Sequence, residues 1–339
     1  MRQSTRIRDF ILKNVEEYPD VISHMVSEQF GISRQAVNRY FRNLLSEGLL
    51  LAKGNTRNRT YELKPITEKL FPIIITSDLD EDKVWRQYLV NLFEGFRQNI
   101  VGIFHYGFTE MYNNVIDHSE GKNALVSFRH LAGRIELTVI DDGIGIFNKI
   151  TSELGLADKR EALLELAKGK LTTDPEHHTG EGIFFTTRMF DRFSILSGEL
   201  YFSHNIDDDW LIEDKEDISE GTSIKMRIGT ESNRTVKEVF DKYAGEEYEY
   251  GFKRTHVPVY LASYEGENLV SRSQAKRVLA RFDRFEEILL DFRGVDFIGQ
   301  AFADEIFRVF KDNNPSKKIL WIGANSDVEK AIESVTRSV

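Results

Sequence analysis

The chain has 339 residues, 41% hydrophobic and 29% charged, with a net charge of −10 at pH 7. That balance describes a globular chain long enough for two or three domains of roughly 100–200 residues each, and it excludes disorder and collagen-like repeats. Cysteine is absent, which excludes disulfides, thiolate zinc sites and a cysteine nucleophile, so any metal would take oxygen ligands. The eight histidines are scattered and form no HExxH pattern. No apolar run reaches the ~18 residues of a membrane span, and the opening MRQSTRIRDF lacks the apolar stretch of a secretory signal, so the expected location is the cytoplasm with no membrane partner.

Charge is divided unevenly. Residues 1–64 carry a net +4, residues 65–251 carry −15 and residues 252–339 carry +1. A polyanionic partner is therefore expected at the basic head and not at the acidic middle.

In the head, residues 5–15 and 21–30 space their apolar positions as two short helices. Ser33 is a good N-cap for a third helix ending near Gly48, with Val37, Tyr40, Phe41, Leu44 and Leu45 as its apolar stripe. Arg34, Gln35, Asn38, Arg39 and Arg42 occupy the other face, with Arg34, Asn38 and Arg42 at i, i+4 and i+8, a spacing from which they could reach base edges and phosphates together. Two strand-like runs then flank a basic tip with Lys53, Arg57 and Arg59. These 1–64 residues resemble the winged helix-turn-helix family, with 33–47 as recognition helix and the basic tip as wing. The resemblance implies duplex DNA as partner; a winged helix used for protein contacts is the alternative.

Residues 65–83 read as a linker. From 84 to 118 the pattern predicts one or two long helices with Ile100, Phe104, Phe108, Met111 and Val115 as the buried stripe. Glu110, Asn114 and His118 recur at i, i+4 and i+8, so a carboxylate, an amide and an imidazole share one face. A strand-like run, 134–140, leads into Asp141-Asp142-Gly143-Ile144-Gly145, an acid at a strand end before a tight glycine turn. Thr179-Gly180-Glu181-Gly182-Ile183 opens a helical stretch, where backbone N–H groups face outward and suit phosphate. Gly221-Thr222 opens the last strand-like run.

The order ExxxN, DxGxG, GxG before a helix, then Gly-Thr resembles the GHKL ATPases, the Bergerat-fold family of gyrase, Hsp90, histidine kinases and MutL. The match spans 84–232, and the helix ExxxNxxxH is most similar to that of anti-sigma-factor kinases. The resemblance implies an α/β sandwich, a mixed sheet covered on one face by helices, binding ATP and Mg²⁺ between them. It implies Asn114 as the Mg²⁺ ligand, Glu110 as the catalytic group that orients or deprotonates a water or acceptor hydroxyl, and Asp141 as acceptor of the adenine amine. Gly143 and Gly145 would make room for the base, Gly180 and Gly182 would hold phosphates, and Thr222 would support the adenine contact. His118 is left as phosphate contact or helix cap. Residues 146–179 would form a lid over the nucleotide, in which Lys168 and Lys170 either assist the phosphates or sit in a solvated loop, the second being preferred. No P-loop and no dimerisation helix bearing a phosphoacceptor histidine is present.

Residues 233–251 read as a connector with Val236, Phe240 and Tyr243 as an apolar edge. From 252 to 339 strands and helices alternate: strand 257–262, helix 272–284, strand 287–292, helix 300–312, strand 318–322, helix 326–335. The stretch 290–302 resembles the STAS fold of anti-anti-sigma factors, and more narrowly the STAS-like domain that follows ATPase modules. Where those factors carry an Asp-Ser-Ser-Gly turn, this chain has Gly299-Gln300-Ala301-Phe302, with no hydroxyl to phosphorylate. The whole is thus expected as a multidomain α/β chain: winged helix, Bergerat α/β sandwich, STAS-like α/β domain. The expected function is an ATP-binding transcriptional regulator with slow hydrolysis, partnered by DNA, by a protein and by a second copy of itself. The alternative is an anti-sigma-like protein Ser/Thr kinase acting on a separate STAS partner.

Overall fold

The structure is a computed structural model that describes residues 3–55, 59–76, 78–171, 180–205, 210–243, 253–263 and 268–336. Three helices open the chain, α1 (Gln3–Asn14), α2 (Ile22–Phe30) and α3 (Arg34–Ser46), followed by the antiparallel pair β1 (Leu50–Lys53) and β2 (Thr60–Leu63). Ser33 caps α3 by accepting from the Ala36 N–H (3.3 Å), satisfying one of the donors that a helix start leaves bare. Val37, Phe41 and Leu44 of α3 are buried with Ile7, Ile11, Val26, Leu50 and Leu63 in a core that belongs to the head, joined from outside by Leu131. Phe41 stacks on Tyr61 across that core (4.3 Å between centroids).

The expected linker holds a strand. β3 (Thr67–Ile74) pairs antiparallel with β4 (Asn123–Leu131), and β4 with β5 (Arg134–Asp141). Its alternation places Phe71 and Ile73 toward the core while Leu70 and Ile74 are 60% and 71% exposed. A polar flank and Pro72 hid this strand from the sequence reading; Pro is tolerated at a sheet edge because the missing N–H faces away from the ladder. After α4 (Glu81–Val84), helical turns run through 93, and the long α5 (Gln98–His118) crosses the sheet. Then follow α6 (Ile146–Leu154), α7 (Lys159–Lys168), α8 (Gly182–Met189), β6 (Arg192–Asn205) and β7 (Trp210–Gly229). The five-stranded order is β3-β4-β5-β7-β6 and every pairing is antiparallel, not mixed as the family resemblance implied.

The run 184–193 (FFTTRMFDRF), which reads as one helical stretch, is divided: the helix stops at Met189, because Arg192 to Ile195 pair with β7 as a strand. In the connector, α9 (Val236–Tyr243) lays Phe240 and Tyr243 on Phe185 and Phe184 of α8. The last third contains β8 (Arg254–Pro258), α10 (Arg272–Leu279), β9 (Glu287–Asp291), α11 (Gln300–Asp304, helical onward to 313), β10 (Lys318–Ile322) and α12 (Ser326–Thr336). Its sheet is parallel in the order β10-β9-β8, and α10 starts in a capping box of Ser271 and Gln274. One hydrophobic core runs without a break from Trp85 and Phe104 through Phe184 to Phe282 and Ile332. The chain is therefore multidomain α/β, with a head core of its own and a second core shared by the middle and the last third. Among the described residues no helix is long and apolar enough to cross a membrane.

Candidate functional site

A cavity of about 420 Å³ opens between α5, the carboxyl end of β5, α6 and the start of α8. That size lies within the ~300–1,000 Å³ usual for small-molecule sites. The helical repeat of α5 brings Glu110, Asn114 and His118 to its wall, while Phe104, Phe108 and Met111 anchor the same helix on the sheet. Asp141, Gly145, Gly180, Gly182 and Thr222 line it as well. Apolar wall is supplied by Val115, Ile146, Ile150, Leu166, Leu171, Ile183 and Ile224.

Asp141 is the last residue of β5 and is only 6% exposed. Burial pushes its carboxyl up, against hydrogen bonds from the N–H groups of Gly143 and Thr222 that favour the charged form. Its register partner on β7 is Thr222, whose Oγ1 accepts from the Ile146 N–H (2.9 Å), tying the start of α6 to the sheet. Gly221 sits at φ +72°, and a Cβ there would overlap the Asp141 carbonyl. Only glycine lets the two strands meet this closely. Asp142 faces away from the cavity: it accepts from the N–H groups of Lys122 (2.8 Å) and Asn123 (2.9 Å), and these hold its carboxyl low.

Gly143 does not line the cavity. A Cβ on it would strike the Ser119 carbonyl, so it makes room for the end of α5 and not for a ligand. Gly145 (φ +85°) passes against Ser197 and does line the cavity. Gly182 passes so close to Glu110 that a Cβ would overlap its carboxylate, and Gly180 (φ +69°) packs on the backbone of Leu171, whose N–H donates to its carbonyl (3.0 Å). Neighbouring Glu181 has its carboxyl pushed up by burial, against the pull of Lys170. Burial also raises the Tyr106 phenol, with Glu110 and Glu181 adding to it.

The two lysines lie elsewhere. Lys168 is 0% exposed, so it is neither solvated nor in the cavity. Lys170 donates to the Arg284 carbonyl (3.0 Å) and stands over the Phe285 ring (5.3 Å). Sequence reasoning missed Lys149, which does line the cavity and pairs with Glu120 (2.9 Å) and Glu153 (3.1 Å). Its place, one helical turn past Gly145 on α6, was the available signal.

No group of three or more His, Asp or Glu gathers as a metal cage among the described residues. A magnesium held by one protein amide and by phosphates needs no such cage, and Asn114 lies on the same wall as the buried Asp141. The cavity thus joins a mixed apolar wall and a buried acceptor to a glycine-lined rim.

On the head, Arg34, Gln35, Asn38, Arg39 and Arg42 are all exposed on α3. Arg59 stands over Tyr61 (5.9 Å), while Lys53 is exposed but paired with Glu62 (2.7 Å). Arg57 lies outside the described residues.

Residues 274–329 match the STAS-like domain of unknown function (DUF4325). No curated protein matches the chain. The larger part of the last third is thus similar to a STAS-like domain, and its parallel β10-β9-β8 sheet with flanking helices is α/β.

Proposed function

We propose that this chain is an ATP-dependent regulator: a GHKL-type, Bergerat-fold nucleotide site joined to a winged-helix head that binds duplex DNA and to the STAS-like domain. The observation carrying the reading is the convergence of Glu110, Asn114, Asp141, Gly145, Gly180, Gly182 and Thr222, far apart in sequence, on one cavity. In this reading Asp141 accepts from the adenine amine and excludes guanine, whose amine is placed differently. Asn114 offers its side-chain oxygen to Mg²⁺, and Glu110, one turn earlier on α5, orients the water or hydroxyl that attacks. The magnesium, when bound, neutralises charge on the phosphates. Gly182 opens α8 beside Glu110, and bare N–H groups at a helix start favour an anion.

The head reads DNA through the exposed α3 side chains, with amides at Gln35 and Asn38 for base edges and arginines for phosphates. Its supporting observations are the +4 charge of residues 1–64 and a core separate from that of the body.

The test uses the full chain with γ-labelled ATP and Mg²⁺, with and without a STAS protein bearing an intact Asp-Ser-Ser-Gly turn. Released phosphate that disappears in Glu110→Ala, while binding persists, supports the ATPase. Label on the added protein favours the kinase. Equal affinity for ATP and GTP would overturn the adenine role of Asp141. Gel shifts of genomic fragments, with retention falling steeply as salt rises, test the head; no retention at micromolar protein abandons the DNA reading.

A further inference from the structure

Two stretches that wall the cavity are fastened from behind by the STAS-like domain. Leu166 and Leu171 line the cavity, and between them the fully buried Lys168 turns the other way. Its ammonium donates to Glu165 Oε1 (2.6 Å) and to the carbonyls of Arg277 (2.8 Å) and Ala280 (3.1 Å). An ammonium has three donors, and here each has an acceptor. In return Thr255 Oγ1 donates to the Lys168 carbonyl (2.6 Å), and Arg281 reaches Glu165 (2.8 Å) and the carbonyl of Lys170. Arg284 donates to the Lys170 carbonyl as well (2.8 Å). The second stretch is held in the same way. Arg188 of α8 lies over Phe184 (3.5 Å) and donates to the His256 carbonyl of β8 (3.2 Å), while Gly182 and Ile183 of that helix line the cavity.

Such an arrangement is specific in register. A buried ammonium without acceptors is costly, so a slip of α7 by one residue leaves both Lys168 and Glu165 unsatisfied. Burial pulls the Lys168 ammonium down, and Glu165 on the same helix opposes that pull.

We propose that the STAS-like domain is the fixed back wall of the nucleotide cavity, with Lys168 as its positioning residue, so that nucleotide binding and docking of that domain strengthen one another. This rests on the nucleotide reading above. With the latch made, residues 166–171 and 180–183 are ordered before a ligand arrives; with it broken, their ordering must be met out of the binding energy. Linkage then requires the reverse effect, an occupied cavity holding the domain more tightly.

The experiment is calorimetry of the full chain with Mg²⁺ and the non-hydrolysable analogue AMP-PNP, for the parent, Lys168→Met and Arg284→Ala. It is paired with hydrogen exchange over residues 277–285 with and without AMP-PNP. Affinity is expected to fall about tenfold in Lys168→Met, an ordinary size for a coupling between sites, and less, about threefold, in Arg284→Ala, which removes one bond of the latch. AMP-PNP is expected to slow exchange over 277–285 in the parent, an effect that a merely structural lysine would not transmit. Should Lys168→Met fail to fold, the exposed Arg284→Ala and the exchange measurement decide. Parent binding with variants within twofold of it, or binding tighter in the variants, or unchanged exchange, overturns the latch and leaves the nucleotide reading standing. No AMP-PNP binding by the parent overturns both.

Discussion

The five-stranded sheet is gripped by two neighbours in opposite physical styles. On its outer face the head is held by ion pairs beside Leu131, which enters the head's core: Glu16 with Arg134, and Glu17 with both Arg192 (2.7 Å) and Arg227 (3.3 Å). A cavity of about 360 Å³ remains between those glutamates and the sheet, lined by Arg129, Lys225, Ser194 and Ser223 among others. On its helical side the STAS-like domain shares a continuous apolar core with the middle and sets Arg281 against the buried pair Lys168 and Glu165 of α7. The Glu17 pairs are partly open to water, hence weak and screened by salt, and only Arg134 is buried (8% exposed), whereas apolar area removed from water is strong. The head is therefore built as a releasable module, and the last third as part of the body.

The largest effect expected from that contrast comes from truncation. Removing residues 253–339 uncovers α7, which packs on β8, together with its buried Lys168 and Glu165, and the remaining chain is expected to lose its cooperative calorimetric transition. Removing residues 1–64 is expected to leave a single transition near that of the parent. If the body tolerates loss of its last third as well as it tolerates loss of the head, the contrast is wrong.

Next in size is Phe282→Ala. Phe282 is fully buried, lies under the Lys168 ammonium (5.6 Å) and meets Phe310 edge-on (6.0 Å). Truncating a buried phenylalanine typically costs about 3–5 kcal/mol. Urea denaturation of the full chain should show that loss in the main transition, not in a separate one; a separate transition would make the last third an independent unit.

How much of this was legible in the sequence follows from how far each signal travels. Ser33, the α3 stripe and the face of Glu110, Asn114 and His118 depend on helical periodicity, and all are where that periodicity puts them. Strand 318–322 agrees end for end. The strand expected at 257–262 runs from Arg254 to Pro258 and then turns, and the helix expected to reach 284 ends at Leu279 before Arg281 adopts a left-handed φ of 63°. The destinations of Lys168 and Lys170 were not legible, because a lysine beside Gly169 looks the same whether its acceptors are water or carbonyls 109, 112 and 114 residues away. Gly143 was legible as a required glycine, but not what it makes room for. Edge strand β3 escaped because an edge needs only one apolar face, and part of that strand is exposed on the other.

A third, smaller effect is set by pH. His256 Nε2 lies 3.0 Å from Asp291 Oδ2 across β8 and β9, beneath the carbonyl that Arg188 holds. Burial alone would raise the Asp291 carboxyl, but hydrogen bonds from His256 and Arg293 hold it down at about 2. A folded-state value below the unfolded ~3.9 means stability that is present above pH 4 and is lost as pH falls toward 2, amounting to about 2 kcal/mol. Asp291→Asn is expected to flatten the acid limb of a stability–pH profile over that window and to lower the plateau above it. An unchanged limb would show that the carboxylate does not couple the two strands.

The smallest effect belongs to the head. Glu17 is about a third exposed and serves two arginines at once, and Arg227 is pressed by burial and by neighbouring Arg134 to hold its charge less readily. Glu17→Gln removes the carboxylate but keeps the size of the side chain, so the change is electrostatic. Partly exposed pairs are worth ~0.2–1 kcal/mol, and the Debye length of roughly 3 Å at 1 M salt erases most of that. Measured by thermal unfolding, the variant is expected to be slightly less stable than the parent in dilute buffer and indistinguishable from it at 1 M salt, while Phe282→Ala keeps its deficit at both. A Glu17→Gln deficit that survives 1 M salt would mean that the head is held by packing, as the last third is, and would remove the difference between the two interfaces.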